Sequence, residues 1–370
     1  MESERIIDNA GEKIEGLDNN DDISLGEYPL DTVLIRSETR TVHDILRRIN
    51  QGSFIMNPDF QRDFIWSEEK QSKFIESVLM RIPLPVLYLA EDDAGRMIVV
   101  DGLQRLTTFD RYVQNKFSLK FSYKNGEKES DLNRKKFSDL PAKLQNRIED
   151  CNLILYIIDS KVPERARLDI FERVNGGVPL TRQQMRNCLF MGPATAFLRE
   201  ESQTEIFKTA TGGGLSPKTM RDREFINRFC SFALMPLDDY PGDMDSFLAD
   251  GLKIMNKLTI TELQELSKKF RNSLQNNFIL FGKHAFRKHY LGEDHLNIIN
   301  AALWDVMSVC LIKYSDWQIE KNKEFINKKF SDLLNDEEFK DAITYGTSDY
   351  RRILCRFEKI NNMLAEVFNA

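Results

Sequence analysis

Val99-Val-Asp-Gly-Leu-Gln-Arg-Leu-Thr-Thr108 decides the fold, because the chain changes there from β to α character within two residues. Met97-Ile-Val-Val100 reads as a buried strand, and a helix follows from about Gly102 to Gln114. Such a turn aims the backbone N–H groups of the helix start at whatever lies above the sheet edge. In that setting Gly102 admits a close ligand, Asp101 can hold magnesium or polarise a water, and Gln104 and Arg105 can contact phosphate. Asp-Gly is also an ordinary turn, and Asp101 could simply cap the helix.

Reading outward, Val86–Leu89 is a second strand, separated from Met97–Val100 by a turn at Asp92-Asp-Ala-Gly95. Upstream, Ser67 is placed to cap a helix whose stripe is Phe74, Ile75, Val78 and Leu79, and Pro83 and Pro85 end it. Before that lie a short strand near Thr32–Arg36 and a helix over Thr41–Ile49 with Thr41 as its cap. Downstream, strands are expected at Phe117–Tyr123 and Leu153–Ile158, with a polar loop at Lys124–Lys136 and a helix at Pro141–Ile148 between them. Past Pro163 the patterning is helical, at Arg165–Val174, Arg182–Leu189, Asp222–Leu234, Thr261–Leu274 and Leu296–Ile312. The reading is therefore α+β: a mixed domain over 32–160, then an all-helical domain over 161–370.

Composition narrows the function. The chain has 370 residues, 41% hydrophobic, with a net charge of −6 that argues at first against nucleic acid. Residues 1–31 hold ten acids against two bases, and this arm at −8 leaves +2 for the remainder. The arm reads as disordered, with Ile6, Ile7 and Ile14 able to dock. Five scattered cysteines make no Cys-x-x-Cys pair, which speaks against a disulfide framework or zinc ribbon. No secretory h-region and no long apolar run is present, so a soluble, cytoplasmic protein without membrane contact is expected.

Two further clusters carry chemistry. Asn57-Pro-Asp-Phe-Gln-Arg62 with Trp66 presents Gln61 and Arg62 just before a helix, where a planar guanidinium suits phosphate; the plain alternative is an arginine paired with a carboxylate. Phe171-Glu-Arg-Val-Asn-Gly-Gly177 runs into Leu180-Thr-Arg-Gln-Gln-Met-Arg-Asn187 and gathers Arg173, Arg182 and Arg186, a basic excess that suits DNA and equally suits a solvated helix face. His284, His289 and His295 match no metal or His-Asn-His nuclease spacing, and they and His43 read as surface or interface residues. Walker A, dinucleotide-binding and Ser/Cys triad motifs are missing from the sequence.

In this order the clusters resemble the GmrSD-type restriction endonuclease N-terminal domain, a family with a ParB/sulfiredoxin-like core. The resemblance spans about residues 32–235 and includes Ile82-Pro-Leu-Pro85 and the helix around Arg223-Glu-Phe-Ile-Asn-Arg-Phe229. It implies a nucleotide-binding and hydrolysing module in defence against foreign DNA. The family's Asp-Gly-Gln-Gln-Arg hallmark falls on Asp101, Gly102, Leu103, Gln104 and Arg105. By that analogy Asp101, Arg105 and Gln104 are catalytic, with Asp101 also the metal ligand, and Gln61, Arg62, Gly102, Asn175 and Arg186 bind the nucleotide phosphates. Arg173 and Arg182 would contact DNA. A nucleoside triphosphate and Mg2+ are the implied cofactors, held between the two domains.

Leu103 departs from the family's first Gln, which removes an amide, and residues 236–370 lack the His-Asn-His pattern that many relatives append. The expected protein is thus an NTPase-type defence component, with any cleavage performed in cis or by a partner nuclease or another system subunit, and a homo-oligomer is compatible with this reading. The alternative is a non-catalytic DNA- or protein-binding regulator on a ParB-like scaffold.

Overall fold

The computed structural model describes residues 14–17, 35–56, 66–92, 94–121, 130–162, 164–174, 181–290, 292 and 295–368. The architecture is α+β, and the chain divides into two compact units: residues 26–180, and residues 181–370 together with 1–25. The helix at 164–174 therefore belongs to the first unit, whereas the sequence pattern had placed the change of domain at 160.

The first unit is built on a five-stranded sheet. Its strands are β1 (Ile35–Thr41), β2 (Phe54–Ile55), β3 (Leu87–Glu91), β4 (Met97–Asp101) and β5 (Asn152–Ile158), in the order β1-β5-β3-β4-β2. β5 runs parallel to β3 and β2 parallel to β4; the other two pairs are antiparallel. α1 (Val42–Asn50), α2 (Glu68–Leu79), α3 (Leu103–Val113) and α4 (Ala142–Glu149) contribute to the core, and α5 (Glu164–Val174) closes the unit. Leu87, Leu89, Val99, Leu155 and Ile157 from the sheet share one core with Ile45, Ile75, Val78, Leu106, Phe109 and Ile148 from the helices. Alternation along the strands sends Ala90, Ile98 and Ile158 to the other face, where they are also buried.

Local chemistry explains the element ends. The Thr41 hydroxyl accepts the Asp44 N–H and the Ser67 hydroxyl accepts the Lys70 N–H, as the cap pattern predicts. α2 ends before the prolines: the Arg81 N–H donates to the Val78 carbonyl and the Ile82 N–H to the Ser77 carbonyl, a Schellman closure with Arg81 left-handed at φ 62.

The strand expected at Phe117–Tyr123 is not formed over Phe117–Phe121. Phe117 and Leu119 are buried as anticipated, but the backbone finds irregular partners. The Lys120 N–H donates to the Ser72 hydroxyl, the Phe121 N–H to the Asn133 side-chain carbonyl, and Leu119 exchanges backbone bonds with Arg134 and Lys135. Residues 122–129 lie outside the described residues. β1 runs further than expected, to Thr41, because its polar stretch pairs with β5 as a sheet edge.

The second unit is helical: α6 (Arg182–Leu189), α7 (Pro193–Ser202), α8 (Glu205–Thr211), α9 (Arg221–Leu234), α10 (Met244–Met255), α11 (Ile260–Phe281), α12 (Ala301–Cys310), α13 (Asp316–Leu334), α14 (Glu337–Ala342) and α15 (Tyr350–Phe368). Its core centres on Trp304, whose ring meets Phe225 at 5.3 Å and Phe286 at 4.4 Å between centroids. α12 starts at Ala301 behind an Asn300 cap, not at Leu296, which is exposed.

Part of the acidic arm is structured. Ile14 is buried in the helical core, the Glu15 N–H donates to the Ile299 carbonyl, and Lys288 pairs with the Glu15 carboxylate at 2.6 Å. The arm read as disordered over 1–31 is ordered at these residues, where Ile14 docks as that reading allowed and two backbone bonds anchor the chain beside it. The rest of the arm, with Ile6 and Ile7, lies outside the described residues.

Candidate functional site

The turn that opened the reading forms as β4, then Gly102, then α3. Asp101 is the last residue of β4, and Gly102 occupies the cap position at φ 99 with no side-chain cap bond. The alternative in which Asp101 caps the helix is not the one adopted. The β3–β4 register shifts between Tyr88 and Leu89: Tyr88 faces Asp101 and Leu89 faces Val99, leaving Val100 as an extra residue. Such a bulge re-aims the next side chain, and it directs the Asp101 carboxylate to Arg105.

Arg105 Nη2 donates to Asp101 Oδ2 at 2.8 Å and to the Val86 carbonyl at 3.0 Å, while Nη1 donates to the Pro85 carbonyl. Its side chain is only 11% exposed, against 36% for Asp101. Burial lowers the Arg105 pKa from its ordinary value, against the opposing pull of the Asp101 charge and hydrogen bond. The guanidinium thus spends its donors on the protein. It ties the turn to the Pro83–Val86 segment and fixes one oxygen of Asp101. The other oxygen, Oδ1, makes no hydrogen bond among the described residues and is free to face water or a ligand.

Gly102 serves this geometry differently from the expectation of an open approach for phosphate. A Cβ there would lie 2.0 Å from Leu87 Cδ2, so the space belongs to the β3 side chain rather than to a ligand. Gln104 accepts the Trp66 N–H at 3.1 Å, and Gln71 donates to the Trp66 carbonyl at 2.6 Å. Trp66 packs edge-on to Phe74, and Phe74 to Phe109. The residue that follows the Phe-Gln-Arg cluster is thereby fastened to the start of α3. Gln61 and Arg62 themselves lie outside the described residues, as does Asn175. Replacing Gln104 by alanine is expected to speed amide exchange at Trp66 about fivefold, for the loss of a hydrogen bond of about 1 kcal/mol, as measured by hydrogen–deuterium exchange.

Leu103, where the family pattern has Gln, is half-buried against the core of the first unit. It packs where an amide would need a partner, which accounts for leucine there.

The remaining candidates lie elsewhere. Arg173 is exposed on α5. Arg182 and Arg186, four apart on α6, both donate to the Asp245 carboxylate of α10, and Arg186 also donates to Gln183 at 2.7 Å. Arg186 is 2% exposed. The basic face read from their spacing is thus an internal clamp: burial alone would raise the Asp245 pKa, but the two guanidiniums prevail and hold it below its ordinary value. Of the histidines read as surface or interface residues, His284 is buried and stacks on half-buried His289 with centroids 3.9 Å apart. Among the described residues no group of three or more His, Cys, Asp or Glu side chains could hold a metal ion, and no helix is long and apolar enough to cross a membrane.

Residues 42–191 match the family model of the GmrSD restriction endonuclease N-terminal domain. No curated protein matches the chain. The matched segment, less than half of the chain, includes the whole Asp101–Arg105 turn, and over that segment the chain is similar to this restriction-type family.

Proposed function

We propose that this chain, a restriction-type component through its GmrSD N-terminal domain, binds a nucleoside triphosphate at the Asp101–Arg105 turn and hydrolyses it in a defence response to foreign DNA. The observation that carries this reading is the Asp101 carboxylate, locked through one oxygen by Arg105 and open at the other, beside a helix start that no side chain caps. A fixed carboxylate next to free N–H groups can bind phosphate through the backbone and orient an attacking water through Oδ1. Arg105 acts here through Asp101, as a positioning residue.

The donor set fits magnesium in one form only. A single open carboxylate cannot cage the ion, but Mg2+ commonly needs just one or two carboxylates besides phosphate oxygens and water. Asp101 would hold an ion delivered with the nucleotide, which supplies charge neutralisation at the phosphates. DNA is the substrate class implied by a restriction-type domain; exposed Arg173 is the remaining described candidate among the arginines singled out for it.

Phosphate release with ATP and GTP, in the presence of magnesium and DNA, tests the reading. Asp101→Ala is expected to lower turnover about a hundredfold or more, as for loss of a general base. Arg105→Ala should lower it too, with Arg105→Lys recovering part. Equal release by wild type and Asp101→Ala, or no nucleotide binding by wild type, overturns the proposal.

Leu103 favours a second reading, a non-catalytic DNA- or protein-binding module that retains the turn as scaffold. There turnover stays at background in wild type, and substitutions at the turn change DNA affinity with a steep salt dependence.

A further inference from the structure

A concavity of the first unit lies where the end of α2 meets α4 and the start of β5. It is a cleft of about 440 Å³, lined by Val78, Pro83 and Leu84 and by the cations Arg81, Lys143 and Arg147. That volume is in the range of small-molecule sites. Asp150 is the one carboxylate on the wall, and it forms no ion pair with any of the three cations. Neither Arg81 nor Lys143 has a side-chain partner among the described residues. Arg147 donates Nη1 to the Leu79 carbonyl at 2.8 Å, and its Nε is buried without an acceptor.

Arg81 adds an independent observation. It sits in the left-handed position that closes α2, where glycine is the unstrained choice and an L side chain is disfavoured. Backbone bonds from Arg81 and Ile82 fix that conformation, so a side chain held there is carried at a cost that the helix end itself does not require. What the side chain contributes is a positive charge on the rim of the cleft.

We infer that this cleft is a binding site for a small phosphate-bearing ligand, separate from the Asp101 turn. Three cations line one concavity against a single carboxylate, Asp150, and none of them is ion-paired with it, an excess of positive charge that an anion of two or more charges offsets. Pro83, Leu84 and Val78 offer an apolar wall for the ligand's body. Burial pushes the thiol of Cys151, also on the wall, up from its ordinary value, which favours its protonated form. Its position suits an effector. The Pro83–Val86 segment lines the cleft at Pro83 and Leu84 and gives its Pro85 and Val86 carbonyls to Arg105. A ligand seated against Pro83 and Leu84 therefore touches the segment that positions Arg105, one to three residues from its anchors.

Arg81→Gly makes the test clean, because it deletes the charge while relieving the backbone. The probe is inorganic pyrophosphate, titrated calorimetrically into the full chain at constant ionic strength. To keep the Asp101 turn out of the measurement, the titration is done in the Asp101→Ala background. Pyrophosphate is expected to bind there, and adding Arg81→Gly or Lys143→Ala should each weaken it about tenfold, as for loss of a charge-assisted contact. The unliganded melting temperature of Arg81→Gly should be equal to or above that of its parent, which separates lost binding from lost folding. Unchanged affinity in both double variants overturns the inference, as does absence of binding in Asp101→Ala. Neither result depends on whether the chain hydrolyses nucleotides, so failure here and failure of the proposed turnover are distinguishable.

Discussion

Asp305→Ala is expected to destabilise the helical unit by about 3–5 kcal/mol, the cost of leaving a buried ion pair with one partner. The Asp305 carboxylate on α12 is fully buried and accepts two hydrogen bonds from Arg228 of α9, Nε and Nη2 each at 2.7 Å. Arg356 of α15, also fully buried, donates to the same Oδ2 at 2.9 Å and to the Thr347 carbonyl at 2.6 Å. Burial works against the charge of Arg228, yet Asp305 outweighs it and holds the pKa above its ordinary value. Alanine would leave two guanidiniums in the core with Glu224, one turn before Arg228 on α9, as the nearest compensation. Such a loss is a large share of the stability of a single domain. Asp305→Asn, which keeps the shape and loses the charge, should be nearly as damaging. Denaturant unfolding followed by circular dichroism checks both. A shift under about 1 kcal/mol for either would mean that water or a rearranged neighbour solvates the arginines.

How far the sequence could be read follows the range of the interactions. Thr41 and Ser67 were legible as caps because the groups they satisfy lie three residues away. The buried stripe of α2 was legible because helical periodicity is local. Phe117, Leu119 and Phe121 alternate like a strand, and the two described as buried do face the core, but their backbone partners come from Ser72, Asn133 and a turn at 131–135. Period-two burial without a neighbouring strand makes no ladder, and nothing local distinguishes the two cases. Arg182 and Arg186 illustrate the same limit for charge: their spacing marks one helix face, yet Asp245, about sixty residues on, turns that face inward. At the candidate site, Asp101 and Arg105 were legible as chemistry-bearing residues at a helix start, the one for a metal or water and the other for phosphate, but not as partners of each other. The carbonyls of Pro85 and Val86, which take further donors of the guanidinium, belong to the segment just before β3, whose placement only the tertiary fold supplies. The three cations of the cleft, at 81, 143 and 147, form no motif at all; the turn after α2 and the packing of α4 bring them together.

Gly102→Ala is expected to cost the first unit about 2–5 kcal/mol, by adding left-handed strain to overpacking. The backbone there has φ 99, where a Cβ is disfavoured, and that Cβ would lie 2.0 Å from Leu87 Cδ2 and 3.2 Å from Arg105 Nη2. Leu87 is buried in the central strand β3 between β4 and β5, so it has no free direction in which to withdraw. Relief must come from β4 or the start of α3, the elements that hold Asp101 and Arg105. The variant therefore tests whether the turn's geometry and its function are one property. Leu87→Ala offers the counterpart: it opens room at the Cβ position, so the double variant should recover the packing part of the loss, leaving the strain and a cavity. If alanine at 102 unfolds the unit by less than about 1 kcal/mol, the turn is more pliable than its contacts indicate. If stability falls as expected, folded Gly102→Ala protein prepared at low temperature should also show weakened nucleotide binding, because the Asp101 carboxylate leaves the position in which Arg105 holds it. Retention of full nucleotide affinity in that folded fraction would place the ligand away from this turn.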